Sequence, residues 1–212
     1  MIQNGEILNS IKQKAKQRKP QIAVLIDPDK TSENELKLFL NKVNKSSIDF
    51  VFVGGSLIFK DIDNYIYNIK KLTKKPVIIF PGSVMHISNH ADGIMLLSMI
   101  SGRNPEFLIG NHVIAAPHLY NSKLEILSTS YLLIDGGKSS SVEYISNTNP
   151  IPADKNDIAI ATALAGEMLG HNITYLEAGS GAINPVPNNM ISEIKKKISN
   201  PLIVGGGIRT KS

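Results

Sequence analysis

The feature that most constrains the fold is a repeated alternation of short apolar runs with longer helical stretches. The apolar runs are rich in branched residues and almost uninterrupted, which is typical of parallel strands covered on both faces. Strands that alternate with helices predict an α/β fold with a parallel sheet. The predicted strands are residues 22–27, 50–55, 77–82, 93–98, 131–136, 173–179 and 202–206.

Capping residues and apolar spacing indicate the intervening helices. Ser32 is followed by Glu35 three residues later, which predicts a capping box, and Asp61 is in place to begin the next helix. Longer helical patterns cover residues 154–169 and 188–198. The second pattern ends in lysines, as the helix dipole favours.

The tract of residues 138–156 follows the fifth predicted strand and carries neither pattern. It is rich in serine and asparagine, so the sequence predicts a loop. On an enzymatic barrel such a loop is either a lid or an ordinary surface excursion, and the sequence leaves both open.

The number of strand–helix units limits the architecture. Seven units exceed what an open doubly wound sheet usually contains, whereas a closed barrel needs eight. A chain of 212 residues suits a single domain. Because the chain ends at GGGIRTKS, soon after the seventh predicted strand, either an eighth strand has been truncated or the fold closes differently.

Composition narrows the classes of function. There is no cysteine, which excludes disulfides and thiolate chemistry, and no apolar run approaches the length of a membrane span. A cytoplasmic location is the resulting expectation. The net charge is +5, with basic residues gathered at 12–19 and 195–197. These clusters suit anionic substrates, transient contact with a membrane surface, or simply solvated helix faces, and the lack of interleaved aromatics argues against nucleic acid.

Glycine and small polar residues follow almost every predicted strand. Two such loops come late in the chain, EAGSG at 177–181 and GGGIR at 205–209. Glycines after a strand leave backbone N–H groups free to face an anion, and a helix N-terminus behind each loop favours negative charge. Adjacent loops of this kind predict a phosphate site, although glycines also make tight turns.

Carboxylates at two strand ends are candidates for chemistry. Asp27 ends the first strand and suits Mg²⁺, which takes few protein oxygens, but an Asp-Pro-Asp sequence also makes a turn with a cap. Ser56 ends the neighbouring strand and is a plausible second oxygen. Glu177 stands beside the phosphate loop, where we expect it to act on a substrate hydroxyl. Tyr175, two residues earlier on the same side of the strand, either bonds the ligand or fills the interior.

Five segments in this order resemble the geranylgeranylglyceryl phosphate synthase family, which includes the bacterial heptaprenylglyceryl phosphate synthases. They are LIDPDK, FVGGS, PVIIFPG, YLEAGSGA and LIVGGGIR, and the resemblance runs from about residue 20 to the end. It implies a modified (β/α)8 barrel of the TIM type. It also implies a prenyltransferase that joins sn-glycerol 1-phosphate to a long prenyl diphosphate, geranylgeranyl diphosphate being the expected one. The products are an ether-linked prenylglyceryl phosphate and diphosphate.

The resemblance also implies residue roles, a metal and an assembly. Mg²⁺ is expected at Asp27 and Ser56, and catalysis at Glu177 and Tyr175. In the implied reaction the pKa of Glu177 need not be far from its ordinary value, because the proton of the glycerol hydroxyl becomes acidic only late. The family is expected to form homo-oligomers, either dimers or hexamers. The substrate-binding residues implied are Tyr175, Leu176, Glu177, Ala178, Gly179, Ser180, Gly181, Gly206 and Gly207.

The family uses a further glycine-containing loop after its eighth strand, and this sequence lacks it. We therefore expect one (β/α) barrel domain over residues 1–212 that is C-terminally incomplete, without the eighth strand and helix. A rival interpretation is another phosphate-binding barrel enzyme, a sugar-phosphate isomerase or synthase, with Asp27 and Asp135 as its acid and base. A second rival is a barrel that binds a phosphate ligand without catalysis.

Overall fold

A computed structural model describes residues 5–209 of the chain. Within them, seven strands alternate with seven α-helices, apart from the β3–β4 and β4–β5 connections described below. The strands are β1 Ala23–Ile26, β2 Phe50–Gly54, β3 Val77–Phe80, β4 Gly93–Ser98, β5 Glu125–Leu133, β6 Ile173–Glu177 and β7 Leu202–Gly205. The helices are α1 Glu6–Lys16, α2 Glu33–Asn44, α3 Ile62–Leu72, α4 Asn111–Tyr120, α5 Ser141–Ser146, α6 Asn156–Met168 and α7 Asn188–Lys197.

The strands belong to one sheet in the order β1 to β7, so each strand is bonded to its sequence neighbours. The pairing is parallel, for example between Val24 and Val51 and between Tyr175 and Ile203. Parallel strands in chain order need a crossover on the face of the sheet after each strand, which explains the repeated strand–helix pattern. It also brings the carboxyl ends of all strands to one edge of the sheet.

Predicted caps begin two of the helices. The Ser32 hydroxyl accepts the backbone N–H of Glu35 at 3.4 Å, and the Glu35 carboxylate accepts the N–H of Ser32 at 2.9 Å, which confirms the capping box. The Asp61 carboxylate likewise accepts two amides at the start of α3. The two long helical patterns correspond to α6 and α7, each within two residues of the predicted bounds.

The fifth strand differs most from its prediction, because it begins at Glu125 rather than at residue 131. Its first half contains polar residues, so it lacks the apolar pattern expected of a buried strand, yet Thr129 and Ser130 are fully buried. The Ser130 hydroxyl is paired with His171 Nδ1 at 2.7 Å. The buried Glu125 carboxylate accepts the N–H groups of Ile7 and Leu8 at 2.8 and 2.7 Å and so caps α1.

Two connections also depart from regular strand–helix units. No helix stands between β3 and β4 in the described chain, where residues 81–92 form turns. A π-helical turn, Glu106–Gly110, precedes α4. Within the tract predicted to be a loop, residues 141–146 form the short helix α5. The structure describes no helix that is both long enough and apolar enough to cross a bilayer.

The first of two compact units comprises residues 5–96 and 113–127 within the described chain. Its core packs the apolar faces of α2 and α3 against β1, β2 and β3, with Leu40, Ile66 and Ile69 fully buried. Gly54 at the end of β2 is required there, because a Cβ atom would overlap the backbone oxygen of Phe80.

The second unit comprises residues 97–112 and 128–209 of the described chain. Its core packs α6 and α7 against β5, β6 and β7, with Leu132, Leu176 and Ala163 fully buried. The predicted single domain over residues 1–212 stays a prediction.

Candidate active site

The clearest candidate for catalysis is the carboxylate that ends β6. Glu177 is only 8% exposed, and its Oε1 accepts the backbone N–H of Gly179 at 2.7 Å. The hydroxyls of Tyr131 and Tyr175 also hydrogen-bond to this carboxylate. Tyr175 and Glu177 lie two residues apart on one strand and therefore share a face, as the sequence predicted.

Tyr131 is the residue of this candidate site that sequence reasoning missed. It lies directly opposite Tyr175 in the β5–β6 register, and the two rings stack with centroids 5.4 Å apart. It is 3% exposed, and burial together with the nearby Glu177 charge raises its pKa well above the ordinary value. Both phenols therefore stay protonated and can donate to Glu177.

The protonation of Glu177 reflects two opposing effects. Burial raises its pKa above the ordinary value, while the bonds from Gly179, Tyr131 and Tyr175 stabilise the charged form and oppose that rise. Burial wins. This upward direction depends on how closely β5 and β7 enclose the side chain, which the sequence alone does not reveal.

The glycines that follow β7 make room for these two side chains. A Cβ atom on Gly205 would overlap the Tyr175 hydroxyl, and one on Gly206 would overlap the Glu177 carboxylate. Gly206 also has a φ of +80° and comes within 2.7 Å, measured from such a Cβ, of the Gly179 amide nitrogen. These two glycines are thus required for packing around the carboxylate, whatever else they bind.

The β6 loop carries the other predicted substrate-binding residues. Gly179 and Gly181 adopt φ of +99° and +71°, which aims backbone groups in directions that other residues rarely allow. Ser180 is exposed, whereas Leu176 and Ala178 are buried in the core. The Ala178 N–H donates to the Gly205 carbonyl oxygen, and Leu176 is paired with both neighbouring strands, so these two residues hold the loop in place. Gly207 has a φ of +67°.

The helix behind this loop begins later than the phosphate prediction assumed. The first residue of α7 is Asn188, seven residues beyond Gly181. The expected helix N-terminus therefore does not directly follow the glycines, and an anion held here would rely on loop amides.

Asp27 lies at the carboxyl end of β1, where its backbone turns into a short 3₁₀ segment. Its carboxylate accepts the Asp29 N–H at 3.1 Å and pairs with Lys30 Nζ at 2.7 Å. It faces Gly55 of the neighbouring strand end closely enough that a Cβ there would lie 3.4 Å from it. Asp27 and the 55–56 backbone therefore adjoin, as predicted, with Ser56 half-buried.

Asp29 has a different task. Its carboxylate accepts the N–H groups of Phe59 and Lys60 at 2.8 and 3.1 Å, so it ties the β2 loop to the β1 loop. Lys60 Nζ strengthens the tie by donating to the carbonyl oxygens of Pro28 and Thr31 at 2.6 and 3.0 Å. Both Asp29 oxygens are thus bonded to backbone amides, whereas one oxygen of Asp27 is paired with the exposed side chain of Lys30.

The residues present fit a Mg²⁺ ion that shares most of its coordination with substrate and water. Between residues 5 and 209 no three His, Cys, Asp or Glu side chains converge in a way that could hold a metal alone. Mg²⁺ commonly binds through one or two carboxylates and substrate phosphates. Asp27 with Ser56 provides that kind of set, since Lys30 is largely exposed and free to swing away.

Asp135, the proposed partner of Asp27 in the sugar-phosphate interpretation, is exposed. Its carboxylate accepts the Gly137 N–H at 2.8 Å and so closes a turn after β5. The buried, tyrosine-bonded Glu177 is the better equipped acid–base group.

Fold and site together define an α/β barrel enzyme whose functional side chains follow the carboxyl ends of parallel strands. The sequence matches the PcrB family over residues 13–212. A geranylgeranylglyceryl phosphate synthase of Chitinophaga pinensis is 49% identical over 208 residues, covering 97% of this chain and 82% of the relative. The chain therefore belongs to the PcrB family, which confirms the resemblance.

Two solved structures support the same assignment. One is the wild-type enzyme abbreviated GGGPS from Thermoplasma volcanium, with a TM-score of 0.88 and 36% identity over 96% of this chain and 81% of that one. The other is (S)-3-O-geranylgeranylglyceryl phosphate synthase from Thermoplasma acidophilum in complex with sn-glycerol-1-phosphate, with a TM-score of 0.88, 35% identity, and coverage of 96% and 82%. They confirm the modified (β/α)8 barrel, of which the described residues contain seven strands.

Removing the Tyr131 hydroxyl tests the electrostatics of the site. In Tyr131→Phe the carboxylate loses one donor that favours its charged form, so the pKa of Glu177 rises further. A base works only when deprotonated, so activity should fall with decreasing pH and should begin to fall at higher pH in the variant. We expect the acid limb of kcat/KM to move up by about one pH unit.

The pH profile of Tyr120→Phe is the matched control, since it makes the same substitution at an exposed tyrosine of α4. Its profile should coincide with that of the wild type. An unmoved acid limb in Tyr131→Phe would show that Glu177 does not govern the reaction.

Proposed function

We propose that this protein is a prenyltransferase that joins sn-glycerol 1-phosphate to a long prenyl diphosphate. The products are an ether-linked prenylglyceryl phosphate and diphosphate. Support comes from the names of the relatives and from the glycerol phosphate in the Thermoplasma acidophilum complex. The observation that carries the proposal is the buried Glu177 carboxylate, enclosed by two tyrosine hydroxyls and bordered by glycine loops.

Glu177 orients the glycerol hydroxyl and accepts its proton as the oxygen attacks the prenyl carbon. A raised pKa makes the carboxylate a stronger base than an exposed glutamate, which suits removal of a proton from an alcohol. Tyr131 and Tyr175 hold the carboxylate in one orientation. Tyr175 contributes to catalysis through Glu177.

The amides of the β6 and β7 loops bind the phosphate of the glycerol substrate. The residues proposed for this are those at 175–181 together with Gly206 and Gly207, and their backbone groups matter more than their side chains. Positive φ angles at Gly179, Gly181, Gly206 and Gly207 support the role, because left-handed glycines let a loop present its amides to an anion. The Gly179 N–H is donated to Glu177, so the amides proposed to meet the phosphate are those of the other loop residues. Binding both substrates in a fixed geometry supplies much of the acceleration.

Asp27 and Ser56 are the proposed protein ligands of Mg²⁺, and the remaining ligands are diphosphate oxygens and water. When bound, Mg²⁺ neutralises the charge that grows on the departing diphosphate. Asp27 presents its carboxylate beside the small residues Gly55 and Ser56, which leaves space for a large anionic group. Lys30, paired with Asp27, can transfer its interaction to the diphosphate.

Asp27→Asn should lower Mg²⁺-dependent turnover at least about 100-fold while the fold is retained, because an amide is a poor replacement for a charged ligand. Activity measured against Mg²⁺ concentration checks this. Asp29→Asn is the matched control, since Asp29 braces the same loop through backbone amides. It should lower thermal stability slightly without changing the Mg²⁺ concentration at half-maximal activity, and wild-type turnover in Asp27→Asn would remove Asp27 from the mechanism.

The function is tested by incubating the protein with Mg²⁺, radiolabelled sn-glycerol 1-phosphate and geranylgeranyl diphosphate. A labelled product that extracts into organic solvent, with release of one diphosphate per product, is the expected result. Heptaprenyl diphosphate in a parallel reaction determines the preferred chain length. Turnover of a phosphosugar without lipid product would favour the sugar-phosphate enzyme instead.

The setting of the enzyme is part of the proposal. We propose a cytoplasmic location, transient contact with the membrane surface where the prenyl substrate resides, and a homo-oligomer, either a dimer or a hexamer. The basic clusters in α1 and α7 support the membrane contact, because cationic residues are attracted to anionic lipid surfaces.

A further inference from the structure

The loop after β5 places a lysine over the glycines of the β6 loop. A Cβ atom on Gly181 would lie 3.5 Å from Lys138 Nζ, so the ammonium group stands directly beside that glycine. Lys138 is exposed, and it forms no ion pair within the described part of the chain. A cation thus stands beside backbone amides in the loop proposed to bind phosphate.

Two contacts fix the position of this lysine's backbone. Ser140, two residues later, is 9% exposed and packs on Gly179, where a Cβ would come within 2.7 Å of the Ser140 Cβ. On the other side, the Gly137 amide is bonded to Asp135. Lys138 is therefore anchored at both sides, in contrast to a lysine on a freely moving surface loop.

A second cation approaches the same loop from β7. Arg209 donates from Nη2 to the Ala182 carbonyl oxygen at 3.2 Å. The carboxylates nearby are already bonded: Asp135 to the Gly137 amide, and Glu177, with its raised pKa, to Gly179. Lys138 and Arg209 balance these two carboxylates, so a phosphate dianion at the loop would meet two cations as well as the loop amides.

We propose that Lys138 is a substrate-binding residue that contacts the phosphate of sn-glycerol 1-phosphate over the amides of Ser180 and Gly181. The inference rests on the proposed function, since it assigns that phosphate to this loop. Lys138 supplies charge, while the loop amides supply direction, so the lysine should strengthen binding without taking part in proton transfer. Its effect should appear in the Kd and KM for glycerol phosphate rather than in kcat.

The test is calorimetric titration of sn-glycerol 1-phosphate into the wild type and three variants. Lys138→Ala should raise the Kd about 5- to 30-fold, with a weaker salt dependence than the wild type, and should leave kcat at saturation nearly unchanged. Lys138→Arg should keep most of the affinity. Lys155→Ala should match the wild type, because Lys155 is an exposed lysine of the same unit that pairs with its neighbour Asp154 at 3.9 Å.

A Kd in Lys138→Ala within twofold of the wild type would overturn the inference. Titration with inorganic phosphate separates this failure from a failure of the proposed function. Binding of inorganic phosphate that depends on Lys138, in a protein that makes no lipid, would support the anion site and reject the prenyltransferase. Lipid synthesis by a protein whose affinity for inorganic phosphate does not depend on Lys138 would support the prenyltransferase and reject Lys138 as a binding residue.

Discussion

Glu177→Gln should lower turnover by about 10²–10⁴ while the affinity for glycerol phosphate stays within a few-fold of the wild type. Glutamine keeps the size of the side chain, and its oxygen can still accept from Gly179 and one phenol. What it loses is the ability to take a proton from the glycerol hydroxyl. Single-turnover kinetics at saturating substrates measure the effect on the chemical step without product release.

Unfolding cannot account for this loss. A carboxyl group whose pKa is raised in the folded state stabilises the fold at pH below its unfolded pKa, and that contribution disappears as pH rises through the folded pKa. Above that range the buried charge opposes folding. Glu177→Gln removes the charge, so its melting temperature at neutral pH should equal or exceed that of the wild type.

Glu193→Gln is the matched control, since it makes the same substitution at a partly exposed residue of the same unit that pairs with Lys196. Its turnover should equal that of the wild type. A loss smaller than tenfold in Glu177→Gln would assign Glu177 to binding and would leave the proton to another acceptor.

Much of the fold could be predicted from the sequence, because apolar runs and helix caps are local properties of the sequence. The prediction for β4 coincides with the structure at Gly93–Ser98, and α2 begins after the capping residue Ser32 as expected. The start of β5 was predicted too late in the chain, because the polar residues Thr129 and Ser130 are buried against tertiary partners such as His171. His171 lies some 40 residues from Ser130 in the chain, so no local pattern in the sequence indicates this contact.

The residues of the candidate site also differ in whether local sequence could predict them. Tyr175 and Glu177 could be assigned to one side because the period of two is set within a single strand. Tyr131 could not be added, because its alignment with Tyr175 depends on the register between β5 and β6. Its only local signal was a tyrosine at the start of an otherwise aliphatic strand.

The raised pKa of Glu177 depends on the same long-range packing. It results from enclosure by three strands that the sequence predicts only separately. The roles proposed for Asp27 and Ser56, by contrast, rest on adjacent strand ends. That adjacency follows directly from a parallel sheet in chain order.

Gly206→Ala should both destabilise the protein and inactivate it, because two constraints meet at this glycine. Its φ of +80° costs any other residue about 1–2 kcal/mol. The added Cβ would also overlap the Glu177 carboxylate and lie 2.7 and 2.8 Å from the backbone nitrogen and oxygen of Gly179. Backbone cannot move away as a flexible side chain does, so overlap adds roughly 1–3 kcal/mol.

The overlap with the Glu177 carboxylate should also affect catalysis directly. To accommodate the methyl group, the Glu177 carboxylate must leave the position in which Gly179 and the two tyrosines hold it. Misplacement of a catalytic base by about an ångström commonly costs on the order of 100-fold in rate. We therefore expect turnover to fall by at least that factor, and glycerol phosphate binding to weaken.

Gly170→Ala separates the two constraints, because Gly170 has a nearly identical φ of +86° and nothing within 4 Å of its added Cβ. It should show only the backbone cost, about 1–2 kcal/mol in the free energy of unfolding, with full activity. Urea unfolding and steady-state kinetics on both variants give the comparison. If the two alanine variants lost equal stability and equal activity, the glycine after β7 would be serving backbone conformation alone. The close packing of Gly206 against Glu177 would then have no part in positioning the base.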